Sequence, residues 1–132
     1  MKLLLDTHIA LWAVARPDRL SVAAQRHLAA ATDQPRVSVV SLWEIAIKFR
    51  LGKSGPNAMS ISAERARTLF LEAGFDLLPV MPEHAVAVER LQVEGHKDPF
   101  DRLLVAQAMS EPLILLTHDA ALEAYSDVVR RV

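Results

Sequence analysis

The chain has no cysteine, which excludes disulfides, zinc thiolate sites and thiol nucleophiles and suits a reducing compartment. Aromatic residues are scarce, 5% against an apolar share of 52%, so the core must be built from layers of Leu, Val, Ile and Ala, as where helices pack on a sheet. No segment supplies the ~20 apolar residues of a membrane span. Met1-Lys2-Leu3-Leu4-Leu5 imitates the start of a signal peptide, but Asp6 interrupts it short of the roughly 7 to 15 apolar residues that an h-region needs. A soluble, cytoplasmic protein is the expectation. No G-x-G-x-x-G follows the first apolar run, which disfavours an ordinary dinucleotide-binding domain, and no internal repeat or low-complexity tract is present.

At 132 residues the chain suits one domain, residues 1–132, with a core of its own. Short β-branched or aliphatic runs at Lys2 to Asp6, Arg36 to Val40, Asp76 to Val80, Leu113 to Leu116 and Val128 to Val132 read as strands. Helices fit between them. Thr7 is placed to cap the first, which ends before Pro17, and Ser21 caps the second through about Ala31. Ser41-Leu-Trp-Glu44 has the spacing of a capping box opening a helix to Gly52. Ser62 opens a helix stopped by Gly74, Pro82 sits at the first turn of one reaching Leu91, and Asp98-Pro99 starts one that runs to Ser110. The stretches Lys53 to Ser60 and Val93 to Lys97 read as loops. Strands separated by helices require crossover connections, so the expected fold is a three-layer α/β/α sandwich around a parallel sheet of four or five strands.

Four acids stand where an apolar strand hands over to a helix: Asp6 after Leu3-Leu-Leu5, Glu44 after Val37-Ser-Val-Val40, Asp101 in the helix opened by Asp98-Pro99, and Asp119 after Leu113-Ile-Leu-Leu116. In a parallel sheet the carboxyl ends of the strands share one edge, where ligands bind. Carboxylates gathered there repel one another, so they protonate or hold a cation. Singly, each has an ordinary structural reading, because acids are favoured in the first turn of helices; the set is what points to a metal site. Thr7, Ser41 and Thr117 adjoin or nearly adjoin these acids and are placed to orient a carboxylate or a metal-bound water. An all-oxygen anionic site suits Mg²⁺ or Mn²⁺.

The net charge is −1, a balance that by itself argues mildly against a nucleic-acid partner. Setting the four acids aside as ligands leaves 12 acidic residues against 15 basic ones, a weakly basic surface around an acidic hole, compatible with a phosphodiester docked through metal. Lys48, Arg50 and Lys53 form a basic stretch, although a solvated helix face is the default for such a pattern. His8 and His118 each neighbour an acid and are placed to line the site, but solvent-facing or hydrogen-bonded histidines are commoner. Trp12 and Trp43 read as core or interface packing rather than base-stacking platforms. His27, His84 and His96 show no ligand spacing.

Four blocks carry a family resemblance across nearly the whole chain: Leu4-Leu-Asp-Thr-His8, Val39-Val-Ser-Leu-Trp-Glu-Ile-Ala-Ile-Lys48, His96-Lys-Asp-Pro-Phe-Asp-Arg-Leu-Leu-Val-Ala-Gln107 and Leu115-Leu-Thr-His-Asp119. In this order and spacing they resemble a PIN domain, specifically the VapC-type toxins of type II toxin–antitoxin pairs. The resemblance implies a metal-dependent endoribonuclease whose acidic ligands fall on Asp6, Glu44, Asp101 and Asp119, with Thr7, Ser41 and Thr117 in support. Asp98 is a further acid of open role. It also implies cleavage that leaves a 5′-phosphate, a homodimer, and a small cognate antitoxin that covers the site. Single-stranded or looped RNA is the expected substrate, with Lys48, Arg50, Lys53 and Arg102 as rim contacts. Two alternatives remain. A phosphatase using Asp6 as nucleophile typically needs a second Asp two residues on, and His8 stands there. A binding module that keeps the acidic pocket without catalysis is the other.

Overall fold

The computed structural model of the chain describes residues 2–51, 59–92, 95 and 97–132. Five parallel strands form one sheet: β1 (Leu3–Leu5), β2 (Arg36–Ser38), β3 (Asp76–Leu78), β4 (Ile114–Thr117) and β5 (Val129–Arg131). They lie in the order β3-β2-β1-β4-β5, with Leu4 beside Arg36 on one side and beside Leu115 on the other. Strand order therefore reverses about β1, and the crevice beyond the carboxyl ends of β1 and β4 is the switch point where such sheets take ligands.

Helices α1 (Thr7–Ala15), α2 (Val22–Ala30), α3 (Val39–Leu51), α4 (Ala63–Glu72), α5 (Pro82–Ala87) and α6 (Pro99–Ser110) cover the sheet, with single 3₁₀ segments at Pro17–Arg19, Val88–Arg90 and Ala120–Tyr125. Side chains of a strand alternate between faces, and the core divides accordingly. Leu3, Leu5 and Leu116 join Ile9, Ala10, Ala66 and Phe70 beneath α1 and α4, while Leu4 and Leu115 join Leu104, Val105 and Ala108 beneath α6. Helices on both faces of a parallel sheet make the three-layer sandwich the sequence predicts.

Several boundaries differ from the sequence reading. Asp6, not Thr7, is the N-cap of α1, its side chain accepting from the Thr7 amide. Helix α3 begins directly after β2 at Val39, with the Ser38 hydroxyl accepting from the Val40 amide, so Ser41 and Glu44 lie inside the helix and form no capping box. The two positions share one face because they are three apart, which mimics the box spacing. The helix starting at Pro82 tightens into a 3₁₀ turn after Ala87. Gly52, Lys53 and His96 lie outside the described residues. Ser21, Ser62 and Asp98 cap their helices as expected.

Gly74 ends α4 at φ +82, with its amide bonded to the Leu71 carbonyl and the Phe75 amide to the Phe70 carbonyl. This is a Schellman closure, and its apolar contact is the stacked pair Phe70–Phe75, centroids 6.2 Å apart. Phe70 is fully buried, so Phe70→Ala is expected to cost about 3 to 5 kcal/mol in urea unfolding. Gly74→Ala, which meets only backbone strain, is expected to cost roughly 1 to 2 kcal/mol. A smaller loss for Phe70→Ala than for Gly74→Ala would contradict this packing.

Candidate metal centre

Asp6 leaves the end of β1 with its amide bonded to the Leu116 carbonyl, which fixes it against β4. Its two carboxylate oxygens have separate partners. Oδ1 accepts from the Thr7 amide at 2.7 Å, and Oδ2 accepts from the Thr117 hydroxyl at 2.6 Å. The same Thr117 oxygen accepts from the Asp119 amide at 3.0 Å, so one hydroxyl at the end of β4 ties the first acid to the last. Asp119 in turn caps the 3₁₀ segment, its Oδ1 accepting from the Ala121 amide.

On the other side, Thr7 donates its hydroxyl proton to Glu44 Oε1 at 2.6 Å. Thr7 and Ser41 share a 2.9 Å hydrogen bond. A threonine has one hydroxyl proton, so with that proton on Glu44 the Ser41 hydroxyl supplies the donor of this second bond. Glu44 Oε2 meets Lys48 Nζ at 2.6 Å, one helical turn on. Thr7, Ser41 and Thr117 thus each touch a carboxylate or the group that holds one, as their sequence positions suggest.

Asp6 is 5% exposed and Glu44 4%, an unusual burial for carboxylates. Burial pushes the Asp6 carboxyl above its ordinary value, against the lowering effect of the Thr117 and Thr7 hydrogen bonds, and the charge of Glu44 adds to the rise. Asp101 is pushed up to about 8, first by burial and then by the charges of Asp6, Asp98, Glu44 and Asp119. Asp101 thus feels the charges of the other three predicted acids, and all four share one electrostatic cluster. Asp98 belongs to it as well, but its Oδ1 accepts from the Phe100 and Asp101 amides, so its structural task is to start α6. Burial works against the Lys48 charge, yet the Glu44 hydrogen bond and the charges of Glu44, Asp98 and Asp101 outweigh it and hold its pKa above the ordinary value.

Not every predicted rim residue reaches this cluster. Lys48 is engaged by Glu44 as a counter-ion rather than displayed on the rim. Arg50 is exposed six residues beyond Glu44, roughly 9 Å further along α3. Arg102, beside Asp101, lines a cleft of about 410 Å³ with Trp43, Lys97 and Glu89, and its Nε is buried without a hydrogen-bond partner among the described residues. Lys53 lies outside the described residues.

Among the described residues, the His/Asp/Glu group whose ligand atoms all approach within 4.8 Å is elsewhere: Glu83, His84 and Glu111. Glu111 lies ten residues past Asp101, about 15 Å along α6. His84 Nδ1 accepts from the Met81 amide at 3.0 Å, which leaves the proton on Nε2, facing Glu111 Oε2 at 2.7 Å. Both ring nitrogens are occupied in starting α5 and joining it to α6. The four-acid cluster is wider. Its all-oxygen donor set fits a hard divalent ion that keeps several of its waters.

Of the two readings open for Trp43, core or interface, the structure leaves the second: it is 56% exposed in an edge-to-face contact with Phe100, 5.1 Å between centroids. One feature escaped the sequence reading. His8, Trp12 and His118 close a ring cluster beside the acids, with centroid separations of 5.8, 5.6 and 4.9 Å. The available signal was the spacing: His8 and Trp12 are four apart on one helix, and His118 precedes Asp119.

The PIN domain family model matches residues 3–128. Ribonuclease VapC22 of Mycobacterium tuberculosis is 30% identical over 127 residues, 92% of this chain and 90% of that protein. The chain belongs to the PIN-domain family. Solved structures share the fold of this PIN domain. VapBC2 from Rickettsia felis, bound to a DNA fragment from its promoter, matches with a TM-score of 0.67 at 15% identity, over 99% of this chain and 98% of that one. Mycobacterium tuberculosis VapC20, a sarcin–ricin loop cleaving toxin, matches with a TM-score of 0.59 at 18% identity, over 93% and 94%.

The raised pKa of Asp101 has a consequence for stability. Its folded value of about 8 lies above the ordinary 3.8, so without metal the folded state holds the proton more tightly than the unfolded one. Its contribution is fully present below the ordinary value and is lost as pH rises toward 8. In EDTA, Asp101→Asn is expected to raise Tm over wild type, with a gain that grows between pH 5 and pH 8. A gain that is flat with pH, or absent, would show that Asp101 is not held in this field.

Proposed function

We propose that this chain, as a single domain spanning residues 1–132, is a metal-dependent endoribonuclease and the toxin of a type II toxin–antitoxin pair. The observation that carries the reading is the acid cluster at the switch point, with Asp6 and Glu44 almost fully enclosed and Asp101 raised to about 8 by burial and by the charges of its neighbours. Such an arrangement is costly without a cation and complete with one. Its support from relatives is the ribonuclease VapC22, and the solved neighbours include a toxin–antitoxin complex from Klebsiella pneumoniae.

Asp6, Glu44, Asp101 and Asp119 would hold Mg²⁺ or Mn²⁺. A bound divalent ion supplies a water of lowered pKa and neutralises charge developing on the phosphoryl oxygens. The remaining work falls to the chain. Thr117 and the Thr7 amide hold both oxygens of Asp6 in a fixed plane, and Thr7 does the same for one oxygen of Glu44. Lys48 neutralises the other oxygen of Glu44 and stands where a phosphate would otherwise face uncompensated carboxylates. Arg102 and Lys97 give the neighbouring cleft a basic lining suited to the RNA backbone.

No described helix is long and apolar enough to cross a membrane, and a cytoplasmic setting suits a ribonuclease toxin. Trp43 and Phe49, both well exposed on α3, are apolar contacts available to the antitoxin or to the second copy of a homodimer. A basic residue of the antitoxin would enter the acid cluster.

Purified protein is expected to cut single-stranded RNA endonucleolytically with Mg²⁺ or Mn²⁺ and not with EDTA, and to leave single-stranded DNA and a phosphomonoester intact. Asp6→Asn should lower cleavage by about a hundredfold or more while the protein stays folded, since even indirect partners of metal ligands are worth about 10- to 100-fold. Full activity of a folded Asp6→Asn protein would end the assignment. Expression alone should arrest growth, and co-expression of the neighbouring small protein should restore it; a harmless, catalytically intact chain would remove the toxin reading and leave the nuclease.

A further inference from the structure

Two imidazoles and an indole meet at the mouth of the acid cluster, from different parts of the chain. His8 lies two residues after Asp6 on α1, and Trp12 one turn further along. His118 arrives from the end of β4, between Thr117, whose hydroxyl holds Asp6, and Asp119. The ring of His118 lies 4.9 Å from Trp12 and 5.6 Å from His8. Trp12 is anchored from behind by the core under α1, whereas His118 is exposed. His8 lies within electrostatic reach of Asp6, Glu44 and Lys48, so the cluster borders the site itself.

A histidine that serves the fold normally spends at least one ring nitrogen on a hydrogen bond, as His84 does. Among the described residues neither His8 nor His118 makes one, and His118 is exposed while His8 is only half-buried, so their ring edges are not spent on the fold. The cluster therefore presents His118 as an exposed ring held against two others, tilted 55° to Trp12 and set at 75° to His8, with ring nitrogens not spent on the fold. It stands next to carboxylates suited to a phosphate. A heterocycle attached to that phosphate is the ligand such a surface fits.

We propose that His118, backed by Trp12 and His8, is a stacking platform for the nucleobase flanking the scissile phosphate of single-stranded RNA. The inference rests on the ribonuclease reading and names how that site holds its substrate. Stacking on a planar side chain tolerates any base and requires an unpaired one, so the platform selects unpaired RNA at the cut without fixing its sequence.

The test uses a short single-stranded RNA containing a mapped cleavage site, with an intact nucleotide or an abasic ribose beside the cut. His118→Leu keeps an apolar cover over Trp12 and removes the aromatic face; His118→Phe keeps the face and removes the nitrogens. The expected result is a KM about tenfold higher for His118→Leu with kcat little changed, and near wild-type KM for His118→Phe. The abasic RNA should raise KM for wild type by a similar factor and add nothing for His118→Leu. An unchanged KM for His118→Leu, or equal losses for Leu and Phe, overturns the platform. A readout without any change in the cluster covers misfolding of these variants: in Trp43→Phe, Trp12 is the sole indole, and adding the intact RNA with Ca²⁺ in place of Mg²⁺ should quench its fluorescence. Absence of quenching at saturating RNA overturns the proposal. If wild type cuts RNA normally while these signatures fail, the platform alone is wrong; if wild type cuts no RNA, the ribonuclease reading fails with it.

Discussion

Repulsion among carboxylates that the fold does not allow to separate is the constraint on which the rest of this protein depends. Asp6 is held by β1 and bonded to Thr117 on β4, Glu44 is held by α3 and bonded to Thr7 on α1, and Asp101 is carried in by the first turn of α6. None of these anchors is a flexible loop. Like charges brought together in this way either take up protons or are neutralised by a cation, and Asp101 rises to about 8 through burial first and this repulsion second. The sheet order explains why the pressure develops at this place. Reversal about β1 opens the crevice between the ends of β1 and β4, and the residues filling it are acids and their hydroxyl partners.

The hydroxyl positions give the cluster its rigidity. Thr117 bonds Asp6 and the Asp119 amide at once, and Thr7 bonds Glu44 and Ser41, so two threonines connect four elements of the fold. Lys48 adds a single positive charge on Glu44, which removes part of the repulsion without filling the site. A functional centre held on strands and helix starts keeps its geometry better than one held on loops, and the energetic cost of enclosing charge is met by the two apolar layers on either side.

Much of this was legible in the amino-acid sequence. The parallel sheet followed from apolar runs separated by helical stretches, and the site followed from acids recurring at the ends of those runs. What escaped had physical reasons. Ser41 and Glu44 have capping-box spacing because residues three apart share a helix face, yet β2 passes into α3 with no connecting turn, so the helix starts three residues earlier. Lys48 has two readings in sequence, a phosphate contact and an i,i+4 partner of Glu44, and the burial of Glu44 decides for the second. Trp12, Trp43 and His118 are ambiguous in sequence because ring-to-ring contact depends on tertiary placement, so the tryptophans read equally as core or interface and His118 as a solvent-facing or hydrogen-bonded histidine. Glu111 and His84 are 27 residues apart, and no local pattern announces their 2.7 Å bond.

The central claim is that a divalent cation relieves carboxylates that otherwise retain protons, and calorimetry reads this directly. Mn²⁺ is titrated into the protein at about pH 6.5, between the ordinary carboxylate range and the value of about 8 for Asp101, in two buffers of different ionisation enthalpy. The account predicts saturable binding with heats that differ between the buffers, corresponding to release of about one proton per ion, and a release that fades as pH is raised past 8. Saturable binding with identical heats in both buffers would contradict it, because the cation would then be entering a site whose acids were already ionised.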